Sequence, residues 1–265
     1  MTRVIKVGGR PQSDPALIKA LAAAHRATFP SPRSAASATN GLVVVHGGGD
    51  EVSTLQRLYG VAAEFKGGRR VTSQADIDII RMALSGSANK RLVSALCSEQ
   101  VPAIGLSGED AGLIVATPLD FARFGFVGVP FIVNQALLSH LLAGFYMPVI
   151  SPVSQASDPR LGETLNVNGD DAAAAIAVAL KASDLLFVSD VAGVLKDGTP
   201  IPMLSPEDAQ QLIDDGTAQG GMSAKLQAAL KALEGGVERV RISDIAAIEQ
   251  LDRGTVLTRV GSVCA

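Results

Sequence analysis

Two glycine-rich turns, each placed directly after a short apolar run, carry the first chemical signal in the chain. Lys6 lies in VIKVGG (Val4–Gly9), so that Gly8 and Gly9 follow the predicted strand at once. A second run, VVVHGGGDEV (Val43–Val52), leads into three glycines and then into a helical pattern. Glycine lets backbone N–H groups come close to an anion, and a helix N-terminus adds partial positive charge. The two turns together predict a phosphate or carboxylate site, rather than two ordinary tight turns.

A pair of arginines lies in a glycine-flanked loop further along the chain. GGRRVT (Gly67–Thr72) contains Arg69 and Arg70 directly ahead of a helical pattern. The planar guanidinium group suits bidentate recognition of a carboxylate. Taken alone, the segment fits a solvated basic turn equally well, so it supports an anion site only together with the glycine turns.

A helix entrance in the second half of the chain carries more polar groups than a helix cap requires. LNVNGDDAAAAIAVAL (Leu165–Leu180) places Asn166, Asn168, Asp170 and Asp171 just before or at the start of an alanine-rich helix. We expect one of the two aspartates to be the N-cap of that helix. The remaining polar groups indicate a second part of the same site.

A late lysine and a late loop extend this set. GTAQGGMSAKLQAAL (Gly216–Leu230) places Lys225 just inside a helix that follows two glycines. A single helical lysine usually faces solvent, so Lys225 gains weight only beside the other motifs. LFVSDVAGVLKDGTPI (Leu186–Ile201) is an apolar strand followed by a loop suited to the ribose and adenine of a nucleotide. The same letters also fit a plain β-turn-β connection.

Several familiar motifs are absent from the sequence. There is no G-x-x-x-x-G-K-[ST], no G-x-G-x-x-G after a strand and no H-E-x-x-H, which argues against a P-loop NTPase, a dinucleotide oxidoreductase and a zinc protease. The histidines His25, His46 and His140 form no cluster, and we expect His46 to make a structural hydrogen bond within its turn. Cys97 and Cys264 are single and far apart, unlike a disulfide scaffold or a zinc site.

Short β-branched runs alternate with longer helical patterns, which predicts an α/β sheet with helices on both faces. Several runs are apolar throughout, as in parallel strands buried on both faces. The predicted strands are Arg3–Val7, Leu42–His46, Ala103–Leu106, Pro148–Pro152, Leu185–Ser189 and Arg239–Ile242. The predicted helices are Asp14–Ala27, Asp50–Tyr59, Gln74–Leu84, Ala88–Glu99, Asn134–Ala143, Asp170–Lys181, Pro206–Asp214 and Met222–Leu233.

The pattern changes in three places. Short hairpin-like pieces occupy Gly112–Val129 and Val153–Val167, and they predict an antiparallel flap set over the edge of the sheet. Phe29–Asn40 has the composition of a surface loop.

Composition limits the class of protein. A chain of 265 residues corresponds to one or two domains, and the net charge of −3 argues against a general nucleic-acid or membrane-surface binder. Charged residues make up only 18%, and there are 27 glycines, so the core must be built from aliphatic and small side chains. No apolar stretch is long enough to span a membrane. Together with the absence of a signal peptide, this predicts a cytoplasmic protein.

The motifs occur in a characteristic order: K-V-G-G, H-G-G-G, G-x-R-V-T, N-V-N-x-D, S-D-V-x-G-V and G-G-M-x-x-K. From about Val4 to about Ile242 this order resembles the amino acid kinase family. The resemblance implies an open, mostly parallel sheet sandwiched between helices, with antiparallel hairpin flaps over the substrate site. It implies one kinase domain over residues 1–265, in which a lobe of residues 1–168 binds an acylamino acid and a lobe of residues 169–265 binds ATP.

Within the family, the resemblance implies ATP-dependent phosphorylation of the γ-carboxylate of N-acetyl-L-glutamate, the second step of arginine biosynthesis. ATP is then a co-substrate, and Mg²⁺ is held mainly by its phosphates, with no dedicated metal site in the protein. Such a carboxylate is already ionised at pH 7 and needs no general base. The alternatives are N-succinylglutamate, carrier-protein-linked aminoadipate or glutamate, and a non-catalytic amino-acid sensor.

Site residues follow from the resemblance, position by position. Lys6 and Lys225 match the lysines that neutralise the transferring phosphoryl group, and Asp170 matches the carboxylate that orients them. The matched turn amides that hold the γ-phosphate are those of Gly8 and Gly9. The positions matched to substrate binding are Gly48, Gly49, Arg70 for the α-carboxylate and Asn166 for the α-substituted end. The positions matched to the nucleotide are Ser189, Asp190, Val191, Gly193 and Val194, with Lys225.

Some positions depart from the family pattern, including Gly108-Glu109-Asp110, which fits its G-x-D hairpin only loosely, and they leave the acyl group of the substrate open. Asp50 adds negative charge near a carboxylate site, Arg69 doubles the guanidinium beside Arg70, and Lys196 stands in the nucleotide loop. Arginine-inhibited members of the family carry an additional N-terminal helix that links dimers into hexamers. Since the first predicted strand begins at about Arg3, we expect a homodimer that arginine does not inhibit.

Overall fold

The structure is a computed structural model, and it describes residues 1–29, 41–66, 69–158, 160, 163–196 and 198–259. Residues 30–40 of the predicted surface loop lie outside the described residues.

Strands and helices alternate along the chain. The strands are β1 (Thr2–Val7), β2 (Gly41–His46), β3 (Phe65–Lys66), β4 (Arg69–Arg70), β5 (Ala103–Gly108), β6 (Ile114–Pro118), β7 (Val127–Val133), β8 (Met147–Ala156), β9 (Thr164–Val167), β10 (Asp184–Val188), β11 (Leu195–Lys196), β12 (Thr199–Pro200), β13 (Met203–Leu204), β14 (Arg239–Ser243) and β15 (Thr255–Thr258). The helices are α1 (Pro15–Thr28), α2 (Gly49–Leu58), α3 (Gln74–Ile80), α4 (Asn89–Ser98), α5 (Phe121–Phe124), α6 (Gln135–Ala143), α7 (Gly169–Ala179), α8 (Pro206–Asp214) and α9 (Gly220–Glu234).

Within the described residues, eleven strands form one mixed sheet with the order β13-β15-β14-β10-β1-β2-β8-β6-β7-β9, and β5 also pairs with β8. The strands at its centre, β14, β10, β1, β2 and β8, run parallel. This arrangement confirms the predicted fold class. Two strands of this sheet were not predicted, β13 and β15, because they are only two and four residues long.

The predicted flap is present as the antiparallel pair β6–β7 together with β9, which pairs antiparallel with β8. These strands also join the main sheet, since β6 pairs with β8 and β7 pairs with β9. The flap therefore continues the sheet beyond β8 instead of forming a separate layer.

Side chains of the central strands alternate between two apolar cores. Val4 of β1 packs on one side with α7 and α9, whereas Ile5 and Val7 pack on the other side with α1 and α4. Lys6 therefore shares the face of Val4 and points towards α7. In this way the two-residue period of β1 fixes the direction of its lysine.

The segment between α3 and α4 departs from the predicted helices. α3 ends at Ile80, and Arg81–Ala88 forms a π-helical turn that continues into α4. Inserted π-helical turns are frequent at functional sites. Among the described residues, no helix is long and apolar enough to cross a membrane.

Candidate active site

A cavity of about 230 Å³ opens at the carboxyl ends of β1, β2 and β9. In an open α/β sheet, ligands bind at this end of the strands. Predicted residues that line it are Lys6, Gly9, Gly48, Gly49, Arg70, Asn166 and Asp170, joined by Gly47, Phe65, Arg69, Ile80, Leu84, Val127 and Asn168. The structure thus brings seven of the predicted site residues to one cavity.

Lys6 and Asp170 form an ion pair at the back of this cavity. Lys6 Nζ lies 2.8 Å from Asp170 Oδ1, and the two side chains are 9% and 6% exposed. Asp170 stands in the first turn of α7, directly opposite the face of β1 that carries Lys6. The pair is therefore positioned by a strand register and a helix start that meet at the same edge of the sheet.

Lys225 reaches the same carboxylate from the second turn of α9. Its Nζ lies 3.9 Å from Asp170 Oδ2, and it donates a hydrogen bond to Gly221 O at 3.4 Å. Burial lowers the pKa of Lys225, an effect that Asp170 opposes and Lys6 reinforces. The predicted group of two lysines around one aspartate is therefore present in the structure.

Asn168, and not an aspartate, is the N-cap of α7. Its Oδ1 accepts a hydrogen bond from the Asp170 backbone N–H at 2.7 Å. The expectation of an aspartate cap is wrong, because asparagine and aspartate cap helices equally well and Asn168 stands at the position with extended backbone. Asp171 is instead paired with Arg69 Nη2 at 2.7 Å and with Lys231 Nζ at 3.3 Å.

The two glycine turns lie against each other. The Gly47 N–H donates to Val7 O at 2.9 Å, which joins the end of β2 to the end of β1. Gly8 does not line the cavity, and its N–H donates to Val188 O at 3.3 Å. Gly9 and the triple glycine provide the backbone surface of the cavity. Because the Gly8 N–H already donates to Val188 O, it is not free to donate to a phosphate as predicted.

His46 is buried beneath the second glycine turn. Its Nδ1 lies 2.8 Å from Gly47 O, and its Nε2 lies 3.1 Å from Asn89 Nδ2. Since the Asn89 amide nitrogen can only donate, Nε2 accepts and Nδ1 donates. Burial lowers the pKa of His46 to about 4, against a smaller raising effect of the Gly47 carbonyl. The expected structural hydrogen bond within the turn is confirmed.

Arg70 lies on the opposite wall of the cavity, where β4 faces α2. It donates to Gly49 O at 3.0 Å, to Ser53 Oγ at 2.9 Å and to Gln56 Oε1. Burial lowers the pKa of Arg70, while nearby Asp76 and Asp50 raise it. Asp50 itself is exposed, and its negative charge favours the charged form of the Arg70 guanidinium.

Asn166 completes this wall from β9. Its Nδ2 donates to Thr72 Oγ1 at 3.0 Å, and it stands opposite Val127 in the β7–β9 pair. The flap strands therefore supply a polar and an apolar side chain to the same cavity.

The predicted nucleotide loop lies at the end of β10, the neighbour of β1. Ser189 and Asp190 line a separate cavity of about 540 Å³ with Arg10, whose Nη1 lies 3.0 Å from Asp190 Oδ2. The negative charge of Asp190 opposes the lowering of the Lys225 pKa by burial. β11 and β12 form a short hairpin, as the β-turn-β interpretation predicts, and Lys196 lies exposed on it.

Further residues of the nucleotide loop have structural contacts. The Val194 N–H donates to Thr255 Oγ1 at 2.8 Å, and Val194 is buried. A Cβ on Gly193 would come within 2.7 Å of the same hydroxyl oxygen, which requires glycine there. Val191 is half-buried in the turn between β10 and β11.

Gln12 and several apolar residues that line the cavity were not predicted from the sequence, among them Phe65, Ile80, Leu84 and Val127. Gln12 donates from Nε2 to Gly8 O at 3.1 Å and to Gly47 O at 2.9 Å. Ile80 and Leu84 enter the cavity at the π-helical turn. The sequence offers no signal for Gln12, because its position depends on a one-turn 3₁₀ helix over Arg10–Ser13. Across the described residues, no group of three or more His, Cys, Asp or Glu side chains is arranged to hold a metal ion.

Comparison with known proteins agrees with the site. A sequence profile described as the amino acid kinase family matches residues 1–244. The chain is 44% identical over 257 residues to an acetylglutamate kinase of Chloroflexus aurantiacus, covering 96% of each chain. It is 39% identical over 264 residues to an acetylglutamate kinase of Roseiflexus castenholzii, covering 99% of this chain and 96% of the relative.

The fold is shared with a solved structure from Streptococcus mutans. The TM-score is 0.84 at 28% identity, and the match covers 97% of this chain and 98% of that one. The order of motifs, the cavity at the strand ends and these matches agree with one another. The chain belongs to the amino acid kinase family.

Proposed function

We propose that the chain transfers the γ-phosphoryl group of ATP to the γ-carboxylate of N-acetyl-L-glutamate, as in the second step of arginine biosynthesis. The observation that carries the proposal is the buried group of Lys6, Asp170 and Lys225 beside glycine turns and an arginine. Relatives named acetylglutamate kinase, with up to 44% identity over most of the chain, support the choice of substrate.

The proposed phosphoryl transfer needs little general acid or general base catalysis. The acceptor carboxylate is ionised at neutral pH, so its oxygen attacks the γ-phosphorus directly. The new O–P bond forms as the bond to the β,γ-bridging oxygen breaks, and ADP leaves with the electron pair. Catalysis then consists of holding two anions in line and stabilising the charge of the moving phosphoryl group.

In the proposal, Lys6 and Lys225 supply the positive charge that stabilises the moving phosphoryl group. Asp170 stands between them and neutralises one of the two positive charges, which leaves one net positive charge at the cavity. The same carboxylate holds both ammonium groups in place before the substrates bind. Such preorganised charge is usually the largest single contribution to enzymatic catalysis.

Arg70, Asn166 and the glycines bind the acceptor. A guanidinium group has five N–H donors, and Arg70 binds the α-carboxylate through those that do not bond to the protein. Asn166 holds the acylated nitrogen end of the substrate, and Gly48 and Gly49 offer backbone N–H groups to the reacting carboxylate.

ATP binds on the other side of the lysines. In the proposal, the turn at Gly8 and Gly9 faces the γ-phosphate, chiefly through Gly9. Ser189, Asp190, Val191, Gly193 and Val194 hold the nucleoside, and Mg²⁺ arrives on the phosphates of ATP. Residues 1–168 then form the acceptor lobe and residues 169–265 the nucleotide lobe.

One observation favours a second acceptor. Arg69 lines the cavity beside Arg70, and N-succinylglutamate carries one more carboxylate than N-acetylglutamate. Asp171 already neutralises Arg69 at 2.7 Å, which is why N-acetylglutamate remains the first choice.

The test is an acceptor panel with ATP, in which hydroxylamine traps the acyl phosphate as a hydroxamate. The panel contains N-acetylglutamate, N-succinylglutamate, glutamate and aminoadipate, and reactions without ATP are the control. We expect the highest kcat/KM with N-acetylglutamate. If no acceptor yields a hydroxamate, the kinase proposal is wrong, and a preference for N-succinylglutamate corrects the substrate. Analytical ultracentrifugation of the same sample tests the predicted homodimer.

A further inference from the structure

The Gly47 carbonyl accepts hydrogen bonds from two side chains that do not line the cavity. Gln12 Nε2 donates to Gly47 O at 2.9 Å, and His46 Nδ1 donates to the same oxygen at 2.8 Å. The Gly47 N–H is also bound, at 2.9 Å from Val7 O. Both peptide groups around Gly47 are therefore fixed in orientation by hydrogen bonds.

Gln12 links the two glycine turns through a single amide nitrogen. Its two N–H groups match two carbonyl acceptors, Gly8 O at 3.1 Å and Gly47 O at 2.9 Å. These acceptors belong to the turns after β1 and β2, which are far apart in sequence. A side chain of this length and donor pattern sets the spacing between the two turns.

His46 is itself fixed by a residue on α4. Asn89 Nδ2 donates to His46 Nε2 at 3.1 Å and to Val149 O at 2.9 Å. Both His46 and Asn89 are completely buried. The neutral imidazole of His46 therefore has one N–H, at Nδ1, and this N–H donates to Gly47 O.

The orientation of this peptide decides what the cavity presents to an anion. In a trans peptide the C=O and N–H bonds point in opposite directions, and the described residues contain no cis peptide. The Gly48 N–H therefore points away from Gln12 and His46. Gly48 lines the cavity, whereas neither Gln12 nor His46 does.

Glycine on both sides of the peptide makes the opposite orientation accessible. Gly48 has φ +152°, and residues without a Cβ change φ and ψ at little cost. A reversed peptide would aim the Gly47 carbonyl oxygen at the bound anion and withdraw the N–H. Both hydrogen bonds to the Gly47 carbonyl would be broken by this reversal, so they oppose it.

We propose that Gln12 and His46 are positioning residues that hold the Gly47–Gly48 peptide so that its N–H, and not its carbonyl, faces the anionic acceptor. The inference rests on the proposed function, since it assigns the reacting carboxylate to this N–H. It adds a requirement for two side chains that do not touch the substrate themselves.

The main test compares Gln12→Met with Gln210→Met. Methionine keeps the length and shape of glutamine without its donors, and Gln210 is an exposed residue of α8 that bonds Asp214 on the same helix. Loss of a preorganised backbone donor costs roughly 100-fold in kcat, so a partly reoriented peptide should cost about 10-fold to 100-fold. We expect that fall in kcat for Gln12→Met, with the KM for ATP changed less than about twofold, and no change for Gln210→Met.

His46 supplies a rescue test. Asparagine places an amide N–H where histidine has Nδ1, whereas leucine places none. His46→Asn should keep kcat within about threefold of that of the parent protein, whereas the kcat of His46→Leu should fall about as far as that of Gln12→Met. Equal activity of His46→Asn and His46→Leu, or an unchanged kcat in Gln12→Met, would overturn the inference.

The outcome is separable from that of the proposed function. The parent protein alone reports on the acceptor, whereas the variants are scored as ratios to the parent on whichever acceptor it uses. A crystal structure of Gln12→Met provides a readout without activity. We expect the Gly47 carbonyl to have turned towards the cavity in at least part of the molecules, and a carbonyl held as in the parent would contradict the role of Gln12.

Discussion

Lys6 Nζ lies 2.8 Å from Asp170 Oδ1, and both side chains are almost completely buried. Removing two charges from water is costly, and a buried ion pair often contributes nothing net to stability. The pair contributes instead to the charge of the site, because Lys225 Nζ lies 3.9 Å from the second oxygen of Asp170. The three charges sum to +1 at the end of a cavity lined by glycine turns. This arrangement is suited to an anion that is bound and then moved.

Replacing Lys225 tests its contact with the moving group. Lys225→Ala should lower kcat at least about 100-fold and change the KM of the acceptor much less, because charge on the phosphoryl group is stabilised mainly in the transition state. Lys231→Ala, on the same helix and exposed, is the matched control. Steady-state kinetics with both substrates varied gives the result, and an unchanged kcat would remove Lys225 from the catalytic group.

Gly48 tests the geometry of the glycine turn. It has φ +152°, and an added Cβ would lie 2.6 Å from Leu84 Cδ2. Gly60→Ala is the control, since Gly60 has φ +71° with open space around it. We expect Gly48→Ala to lower the free energy of unfolding by about 2–4 kcal/mol and Gly60→Ala by about 1 kcal/mol, measured by urea denaturation. Equal losses would show that Leu84 moves away freely.

His46 predicts a pH dependence of stability. Burial lowers its pKa from 6.5 to about 4, so the unfolded chain binds a proton at a pH where the folded chain does not. Its contribution to stability is complete above pH 6.5 and is lost as the pH falls towards 4. Between pH 7 and pH 5 the loss is about 2 kcal/mol.

The variant His46→Asn isolates this effect from other titrating groups. The pH-dependent loss of stability in the variant should be smaller by about 2 kcal/mol than in the parent protein. Urea denaturation at both pH values provides the measurement. Parallel losses in the two proteins would mean that His46 titrates normally in the folded state.

Arg70 predicts a change in acceptor affinity. Lysine cannot bond Gly49, Ser53 and Gln56 and also bind a carboxylate, because it lacks the planar fork of donors. Arg70→Lys should raise the KM of the acceptor about 10-fold to 100-fold and leave the KM of ATP unchanged. Arg57→Lys, an exposed position on α2, is the control. A rise in the KM of ATP instead would assign Arg70 to the nucleotide.

Much of the site could be predicted from sequence, because local rules position it. A two-residue strand period directs Lys6, and a polar helix start supplies Asp170. The capping residue could not be chosen, since Asn168 and the aspartates after it have equal preferences for that position. The predicted phosphate contact of Gly8 depended on a free N–H, which the neighbouring strand end at Val188 occupies.

Contacts between distant segments could not be predicted. Gln12 reaches Gly47 across 35 positions through a single 3₁₀ turn, and no periodic pattern marks such a contact. The π-helical turn at Arg81–Ala88 is also invisible in sequence, because its hydrophobic spacing differs little from that of an α-helix. Both features fix backbone positions around the cavity by long-range packing.

The most direct test compares two neighbouring buried aspartates. Asp170 lies between Lys6 and Lys225, whereas Asp171 pairs with Arg69 and Lys231. Both variants, Asp170→Asn and Asp171→Asn, remove one buried charge and should lower the melting temperature similarly. The measurement is kcat for acyl phosphate formation, trapped as hydroxamate. We predict a fall of about 100-fold or more for Asp170→Asn and less than about 10-fold for Asp171→Asn. Equal kcat values for the two variants would contradict the catalytic role of the Lys6–Asp170–Lys225 group.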